Sequence, residues 1–591
     1  MNTTDDIAES ENLTAYEEFL EKRPRASFWL RASVLLACFF VPFAGSAGAS
    51  PYPIKDLGTL VGGTKSDAYA INDEGWAVGI SNDSTEADHA VVWDPTNNYD
   101  IIDLGRGAAN AINALGQVAG SLAQPGGASS HAFIWDLNIG TQDLGVLPGF
   151  THTNVVGINA SGQVVGYCTD ATGIKTQRGF IGSTLGLVDL ETGTFGSTVK
   201  IQPVALNDAG QVIGYYIGAD NVNRGFIWDS TDLMRDIRDS GGTYVFVPNA
   251  INNSGQVVGT ADTDTGFTSA FYWDGGGPMD LGTLGGNSSG ATDINDAGQI
   301  VGFSEPKGIA NLHAFIRDGS PVLKDIGVLP GGSFSIATAI NEGGAVVGYS
   351  GVLVGDAPEI HAIFWDQDRG LVDLGTLGGD KSFARALNET GQIVGFSSKS
   401  DFSSHAFLVD LNVLAPQASQ AAAVLTLTEL RDDLEEPKDI RSLDKIIEDL
   451  SQPEIQALFV DSSHLDPRDG NRLFDVDAKA VGDCLGLIRS NKDAIPDAVL
   501  QEIIDDLVNV TQVLAQTAVD EAAAALGVPI SLALRSANTD TDNGRKATKL
   551  LAEARKELER AESRFSNGKL QEAIKAYGKA WKKAQEVLER R

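Results

Sequence analysis

One ten-residue pattern recurs eight times along this chain and limits what it can fold into. Asn72, Asn113, Asn159, Asn207, Asn252, Asn295, Asn341 and Asn388 each precede one glycine by three residues and a second by seven, at intervals of about 41 to 48 residues. That period is the length of one propeller blade. Asn at the first corner and Gly at the fourth suit a type I turn closed by a residue with φ > 0, the turn that joins two antiparallel strands. Residues other than glycine reach that backbone conformation only at a penalty of roughly 1 kcal/mol.

The rest of each unit follows a fixed order. An alanine-rich strand precedes the turn, as in Ile336 to Asn341, and Gln-Val-Val-Gly follows it, as in Gln256 to Gly259. His-Ala-Phe-Ile-Trp-Asp comes next at His131 to Asp136, with looser copies at His89, Ser269, His313, His361 and His405 and variants at Arg178 and Arg224. Val-Asp-Leu-Gly ends the unit, as in Val372 to Gly375. Alternating apolar residues bounded by Gly and Asp predict four short strands per unit. Phase then suggests the topology, because the first repeat element is a fourth strand, Lys55 to Gly58, and the last is a third strand, His405 to Asp410. The expected fold is mainly β: an eight-bladed β-propeller of four-stranded antiparallel blades, closed by pairing N- and C-terminal strands, followed by an α-helical C-terminal region.

His-Ala-Phe with the following Trp-Asp, Asp-Leu-Gly-Thr-Leu-Gly-Gly and Ala-Ile-Asn-x-x-Gly-Gln-Val-Val-Gly together resemble the HAF-repeat family of bacterial extracellular proteins. The resemblance covers Ile54 to Asn412. It implies a secreted repeat protein and names no activity.

The formal charge of −35 argues against nucleic acid as a partner. At the N-terminus, Lys22, Arg23, Arg25 and Arg31 precede the apolar run Ala32 to Phe43, and Ala47-Gly-Ala49 follows. This reads as a secretory signal in residues 1–49 with a long n-region, cut between Ala49 and Ser50, leaving no stable membrane span and a secreted, extracellular or periplasmic protein. Two rivals stand beside it: a faint lipoprotein box ending at Cys38, and a membrane anchor over residues 28–49. Cys168 and Cys484 remain after cleavage, and free buried thiols are expected because they lie in different regions.

The propeller is expected over residues 50–412. Helical spacing through Leu443, Ile447 and Leu450, and again Ile503, Leu507 and Leu514, marks a helical region over 413–535. A polar linker, 536–544, leads to two apolar stripes over 545–591, a helical hairpin that is weakly similar to a tetratricopeptide unit. The hairpin is basic, about +7 by residue count, against an acidic remainder. Docking on an acidic surface is the sharper reading of it, and a solvated face the plainer one.

Candidate chemistry is sparse. The five equivalent histidines suggest metal, yet separate blades hold them apart. Gly302-Phe-Ser304 and Gly348-Tyr-Ser350 hint at a nucleophile elbow but lack its second glycine. Aspartates after the third strand (Asp94, Asp136, Asp229, Asp274, Asp318, Asp366, Asp410) and in the fourth (Asp56, Asp103, Asp143, Asp280, Asp325, Asp373) suggest paired acids, although turn capping explains them. Asn538, Asp540 and Asp542 imitate a calcium loop whose glycine comes one place late and whose bidentate Glu is replaced by Lys549. No other cofactor is expected.

The functional expectation is a secreted, non-enzymatic binding protein whose faces recognise an extracellular polymer, glycan or protein. The insertions Asn82 to Asp88, Cys168 to Thr176, Ala261 to Phe267 and Gly351 to Glu359 are its expected contact loops. A carbohydrate-active hydrolase on the same scaffold and a structural envelope protein are the alternatives. A quinone-dependent dehydrogenase would need a regular tryptophan-docking pattern, which the sequence lacks.

Overall fold

The computed structural model describes residues 50–588, apart from 171–176, 191–199, 218–221, 238–245, 263–265, 310, 355–356, 414–415, 433–436, 453–457, 459–464, 491–496 and 526–541. The chain divides into two compact units between Leu414 and Ala415. The first is mainly β and is built of four-stranded antiparallel sheets, such as His152–Ile158, Val164–Thr169, Gln177–Ser183 and Gly186–Asp189. The two ends of this unit share a sheet: Ile54–Asp56 pairs antiparallel with Ser404–Asp410, placing Ile54 opposite Val409 and Asp56 opposite Phe407.

Two local expectations change. The fourth strand of one unit and the inner strand of the next run on as one strand at Asp100–Ile112, whose halves pair with Asp88–Asp94 and Val118–Ala123. Gly351 to Glu359, expected as an irregular insertion, instead prolongs a hairpin, with Gly351 opposite Ile360 and Val352 opposite Glu359. The cause is apolar: Val352 is buried against Leu329 and Ile363. The insertions after Cys168 and Ala261 run into 171–176 and 263–265, outside the described residues.

A bulge in each inner strand gives the second glycine of the repeat its purpose. The register slips between Ala68 and Ala70, Ala109 and Ala111, and Ala337 and Ala339, leaving Tyr69, Asn110 and Thr338 without a partner residue opposite. One extra residue bends the strand locally. A Cβ built at Gly348 would then lie 2.0 Å from the Ile336 carbonyl oxygen, and at Gly79 2.0 Å from that of Asp67. Gly348→Ala is therefore expected to cost about 3 kcal/mol through overpacking against backbone that cannot withdraw. Chemical denaturation checks this, and a loss below about 1 kcal/mol would show that the inner strand can shift.

The second unit is helical. Its described helices are α1 (Pro416–Asp432), α2 (Pro437–Leu450), α3 (Asn471–Ser490), α4 (Asp497–Ala525), α5 (Asp542–Ser566) and α6 (Leu570–Leu588). Gly568, at φ 70°, takes the left-handed position that ends α5, and its N–H donates to the Phe565 carbonyl at 2.8 Å. The hairpin, expected as a separate piece behind a linker, shares one core with the preceding helices. Leu473, Phe474, Val481, Ile503, Leu507, Leu551, Ile574 and Trp581 belong to a single buried cluster. The apolar stripes of α5 and α6 explain this, since a two-helix hairpin cannot bury both by itself. Phe474 and Trp581 meet with ring centroids 6.0 Å apart, and Gln571 Nε2 donates to the Ala478 carbonyl at 3.0 Å. Among the described residues, no helix is long and apolar enough to cross a membrane.

Candidate functional site

The repeated polar residues are joined from one sheet to the next. Each repeat asparagine accepts its own turn's N–H groups on Oδ1, as Asn159 does from Gln163 at 2.8 Å, and donates from Nδ2 to the backbone carbonyl of the following asparagine. The donations run Asn72 to Asn113, then Asn159, Asn207, Asn252, Asn295, Asn341 and Asn388, at 2.9 to 3.3 Å. Asn388 then donates to the Asn72 carbonyl at 2.9 Å. A parallel series uses the next residue in the turn: backbone N–H groups of Asp208, Asn253, Asp296, Glu342 and Glu389 donate to side chains of Asn253, Asp296, Glu342, Glu389 and Asp73. A third uses the bulged residues, with Asn249 Nδ2 to the Ala291 carbonyl at 2.7 Å and Thr338 Oγ1 to that of Ala384 at 3.0 Å.

The histidines turn out to be sheet fasteners. His89, His131, His313 and His361 each place Nδ1 2.8 to 2.9 Å from the fourth-strand aspartate of the same sheet, Asp103, Asp143, Asp325 and Asp373. His405 does the same with Asp56 at 2.8 Å, joining the two ends of the unit. Arg178 substitutes for histidine, pairing with Asp189 at 2.7 Å. Among the described residues, no group of three His, Cys, Asp or Glu could hold a metal ion. Burial works against ionisation of Asp56, yet His405 and Lys399 hold its pKa down at about 2. His361 is penalised by burial, but Asp373 and Glu359 raise its pKa above the usual histidine value.

The serines of the elbow-like motifs are fully buried. Ser304 Oγ accepts from Leu284 N at 2.9 Å, and Ser350 Oγ accepts from Leu329 N at 3.0 Å while donating to the Phe334 carbonyl at 2.9 Å. They tie the fourth-strand turn to the second strand and leave no nucleophile exposed. The fourth-strand aspartates also cap their own turns: Asp56, Asp103, Asp143, Asp280, Asp325 and Asp373 each accept from the glycine two residues on at 2.7 to 2.8 Å. Asp94, Asp136, Asp229, Asp366 and Asp410 likewise cap the third-strand turns. Cys168 and Cys484 are free and buried, and burial pushes their thiols up to about 11 and about 12.

Of the calcium candidates, Asn538 and Asp540 lie outside the described residues, and Asp542 opens α5. Ala49 is also outside them, whereas Ser50 is buried, its Oγ accepting from Tyr52 N at 3.1 Å. Among the described residues, the basic hairpin has two ion pairs across its helices, Lys583 Nζ to Glu553 at 2.5 Å and Arg564 Nε to Glu572 at 3.7 Å.

One cavity stands apart from this regular bonding, where the chain's first inner strand meets its last sheet. It holds about 310 Å³ and is lined by Lys65, Asp67, Glu86, Asp88, Phe396 and Ser404, among others. Asp67 is bidentate to Arg385, Nε to Oδ1 at 2.9 Å and Nη2 to Oδ2 at 2.7 Å. The Arg385 guanidinium lies 5.4 Å from the Tyr69 ring centroid and 5.2 Å from that of Phe396. Burial raises the Asp67 pKa, with Arg385 opposing. Burial, followed by the charge of Asp67, lifts the Tyr69 hydroxyl to about 12, and Asp88 adds to the same effect. Asp67 and Asp88 therefore share one small electrostatic space. Glu86 and Asp88 belong to the Asn82 to Asp88 insertion, expected as a contact loop; Asp67 and Arg385, from opposite ends of the unit, carry no such signal in the sequence.

No family model matches the chain, and no curated protein matches it. Solved structures similar to part of it include the β-propeller domain of the Trilobed protease from Pyrococcus furiosus, at 14% identity and TM-score 0.37, over 54% of this chain and 99% of that one. A Mycobacterium tuberculosis puromycin-hydrolyzing peptidase is similar at 11% identity and TM-score 0.35, over 56% of this chain and 55% of that one. Porphyromonas gingivalis dipeptidyl peptidase 4 is similar at 9% identity and TM-score 0.34, over 56% of this chain and 50% of that one. The chain thus spans about half the length of the two peptidases it matches. The expectation of a non-enzymatic binding protein is corrected on this finding, since these structures are named for hydrolases.

Proposed function

We propose that the strand-rich unit closes into an eight-bladed propeller of the HAF-repeat type, and that this ring is the scaffold of a secreted carbohydrate-active hydrolase with the seam cavity as its reaction site. Support for closure comes from the register of Ile54–Asp56 on Ser404–Asp410 and from the return of the asparagine series from Asn388 to Asn72. The observation that carries the reaction is the gathering of Asp67, Glu86 and Asp88 around one cavity, with Asp67 held by Arg385 through two hydrogen bonds.

Hydrolysis of a glycosidic bond needs one carboxyl that keeps its proton for the leaving oxygen and one carboxylate that activates water or attacks the sugar. Environments that treat neighbouring carboxyls differently supply that division. In this reading Asp67, both oxygens held by Arg385, is the carboxylate and Asp88 the second carboxyl. Arg385 positions Asp67 through its two hydrogen bonds. The test is release of reducing ends from soluble polysaccharides. Asp67→Asn and Asp88→Asn are each expected to lower kcat by about 10² or more. Turnover that both variants leave intact would place the chemistry elsewhere, and a complete lack of turnover on polysaccharides would remove the hydrolase.

A second reading, a structural envelope protein, is favoured by one observation: the repeat histidines, serines, asparagines and aspartates are engaged in bonds within and between sheets. Under it the same screen stays silent while the ring keeps its stability.

A further inference from the structure

We infer that Asn82 is the substrate-reading donor of the seam cavity, its Nδ2 holding a hydroxyl of a neutral sugar whose own proton goes to Asp88. The inference deepens the hydrolase reading above and rests on it for the reaction. Asn82 lines the cavity and is only 2% exposed. Its Oδ1 accepts from the backbone N–H groups of Thr64 and Lys65, each at 2.8 Å. Gly63 lets that loop lie down on the side chain, since a Cβ there would stand 2.8 Å from Asn82 Oδ1 and 2.0 Å from the Asn82 carbonyl oxygen. The amide is thus pinned at its oxygen, and among the described residues nothing accepts from Nδ2. A donor so enclosed costs about 1 to 3 kcal/mol unless a group in the cavity takes its proton.

Folding accounts for the oxygen of this side chain and not for its NH2 group. Glu305 and Ser398 stand at the same position of their own sheets, each directly after a buried serine, Ser304 and Ser397. Glu305 Oε2 accepts from Asn287 N at 3.0 Å, and Ser398 Oγ accepts from Lys381 N at 2.9 Å. The position therefore asks for an acceptor, which a carboxylate or a hydroxyl supplies. Asparagine adds two N–H donors that the turn does not use.

The neighbouring acids define what the donor meets. Asp88 lies directly opposite Asn82 in the pairing of Ala77–Asn82 with Asp88–Asp94, and opposite residues of an antiparallel pair share one face. Asp88 and Glu86 line the same cavity, and neither has an ion-pair partner among the described residues. A fixed donor and an open acceptor are thereby set side by side. A hydroxyl between them accepts from Nδ2 and donates to a carboxyl oxygen of Asp88, a bond pattern that a sugar supplies. An acidic ligand would meet both carboxyl side chains as like charges.

The experiment uses the full chain. Binding of neutral cello- and malto-oligosaccharides and of an oligoglucuronate is measured by calorimetry in the parent, in Asn82→Asp and in Asn82→Ser, and KM and kcat are followed in the parent and Asn82→Ser. Asn82→Asp keeps the acceptor for Thr64 and Lys65 but sets two carboxyl groups against one hydroxyl proton, whereas Asn82→Ser removes the donor's reach without adding charge. Expected are neutral-oligosaccharide binding weakened about tenfold in both variants, KM raised equally by Asn82→Ser, kcat within about twofold, and melting temperatures close to the parent's. Unchanged affinity in the variants, a loss of kcat at constant KM, or a parent that binds neither neutral series overturns the inference. So does weakened binding confined to a variant whose melting temperature falls, because Asn82 then only holds the loop. Tighter parent binding of oligoglucuronate overturns the substrate class. Asn82-dependent binding without turnover removes the hydrolase and leaves the donor, and turnover with a KM indifferent to Asn82 does the reverse.

Discussion

Asn388→Ala is expected to lower the stability of the strand-rich unit by about 3 kcal/mol. The side chain is buried and makes four hydrogen bonds: Nδ2 to the Asn72 carbonyl at 2.9 Å and to Gln392 Oε1 at 3.0 Å, and Oδ1 from Gln392 N at 2.8 Å and Thr390 Oγ1 at 2.9 Å. Alanine leaves the Asn72 carbonyl and the Gln392 N–H buried without these partners, and each such loss costs about 1 to 3 kcal/mol. Asn388→Asp is expected to do more harm, because a carboxylate then faces a carbonyl and an amide oxygen that had accepted from it. Calorimetry of the strand-rich transition checks both. The comparison with Asn207→Ala is informative, since Asn207 makes equivalent bonds within an unbroken run of chain. In a closed ring both losses are similar in size. A loss at Asn388 of less than about 1 kcal/mol, with the full cost at Asn207, would show that the seam carries no load and the proposed ring is open.

The parts of this architecture that sequence reveals are those governed by local backbone chemistry. Asn207 and Gly210 announce a turn because few other residues satisfy its geometry, and the structure puts Gly210 at φ 77°. Phase along the chain was enough to pair Asp56 with the strand containing Phe407. The remainder depends on contacts that no local pattern encodes. The bulge at Thr338 is set by the sheet, and only then does Gly348 become necessary against a carbonyl. His131 and Asp143 lie 12 residues apart in recurring motifs, so their pairing was available in principle from spacing and was missed because each was weighed alone. Glu86 and Asp88 were legible as part of the Asn82 to Asp88 insertion, whereas Asp67 carried no signal: it reads as an ordinary surface acid, and the cavity exists only where the two ends of the unit meet. In the helical unit, the apolar stripes of α5 and α6 were legible, but not which helices would cover them.

Asp477 should make the helical unit respond to pH in the sense opposite to the strand-rich one. Its side chain is fully buried in α3, with Oδ1 accepting from Gln420 Nε2 of α1 at 3.1 Å and Oδ2 without a hydrogen-bond partner. Burial drives its pKa up to about 8, against the weaker opposing hydrogen bond from Gln420. An unfolded aspartate titrates near 3.9, roughly, so the folded value is the higher of the two. Stability from this group is then fully present below about pH 4 and is lost as pH rises towards 8, because the unfolded chain releases a proton that the folded one must keep. For Asp56 the folded value, about 2, lies below the unfolded one, and its contribution is present above about pH 4 and lost as pH falls towards 2. Asp477→Asn removes the titration while keeping the shape, and is expected to stabilise the helical unit by on the order of 5 kcal/mol at pH 8 and hardly at all at pH 4. Calorimetry across that range, following the helical transition in variant and parent, provides the measurement. A difference between them that stays constant from pH 4 to pH 8 would mean that the carboxyl is ionised in the fold, and that water or a cation reaches Oδ2 in solution.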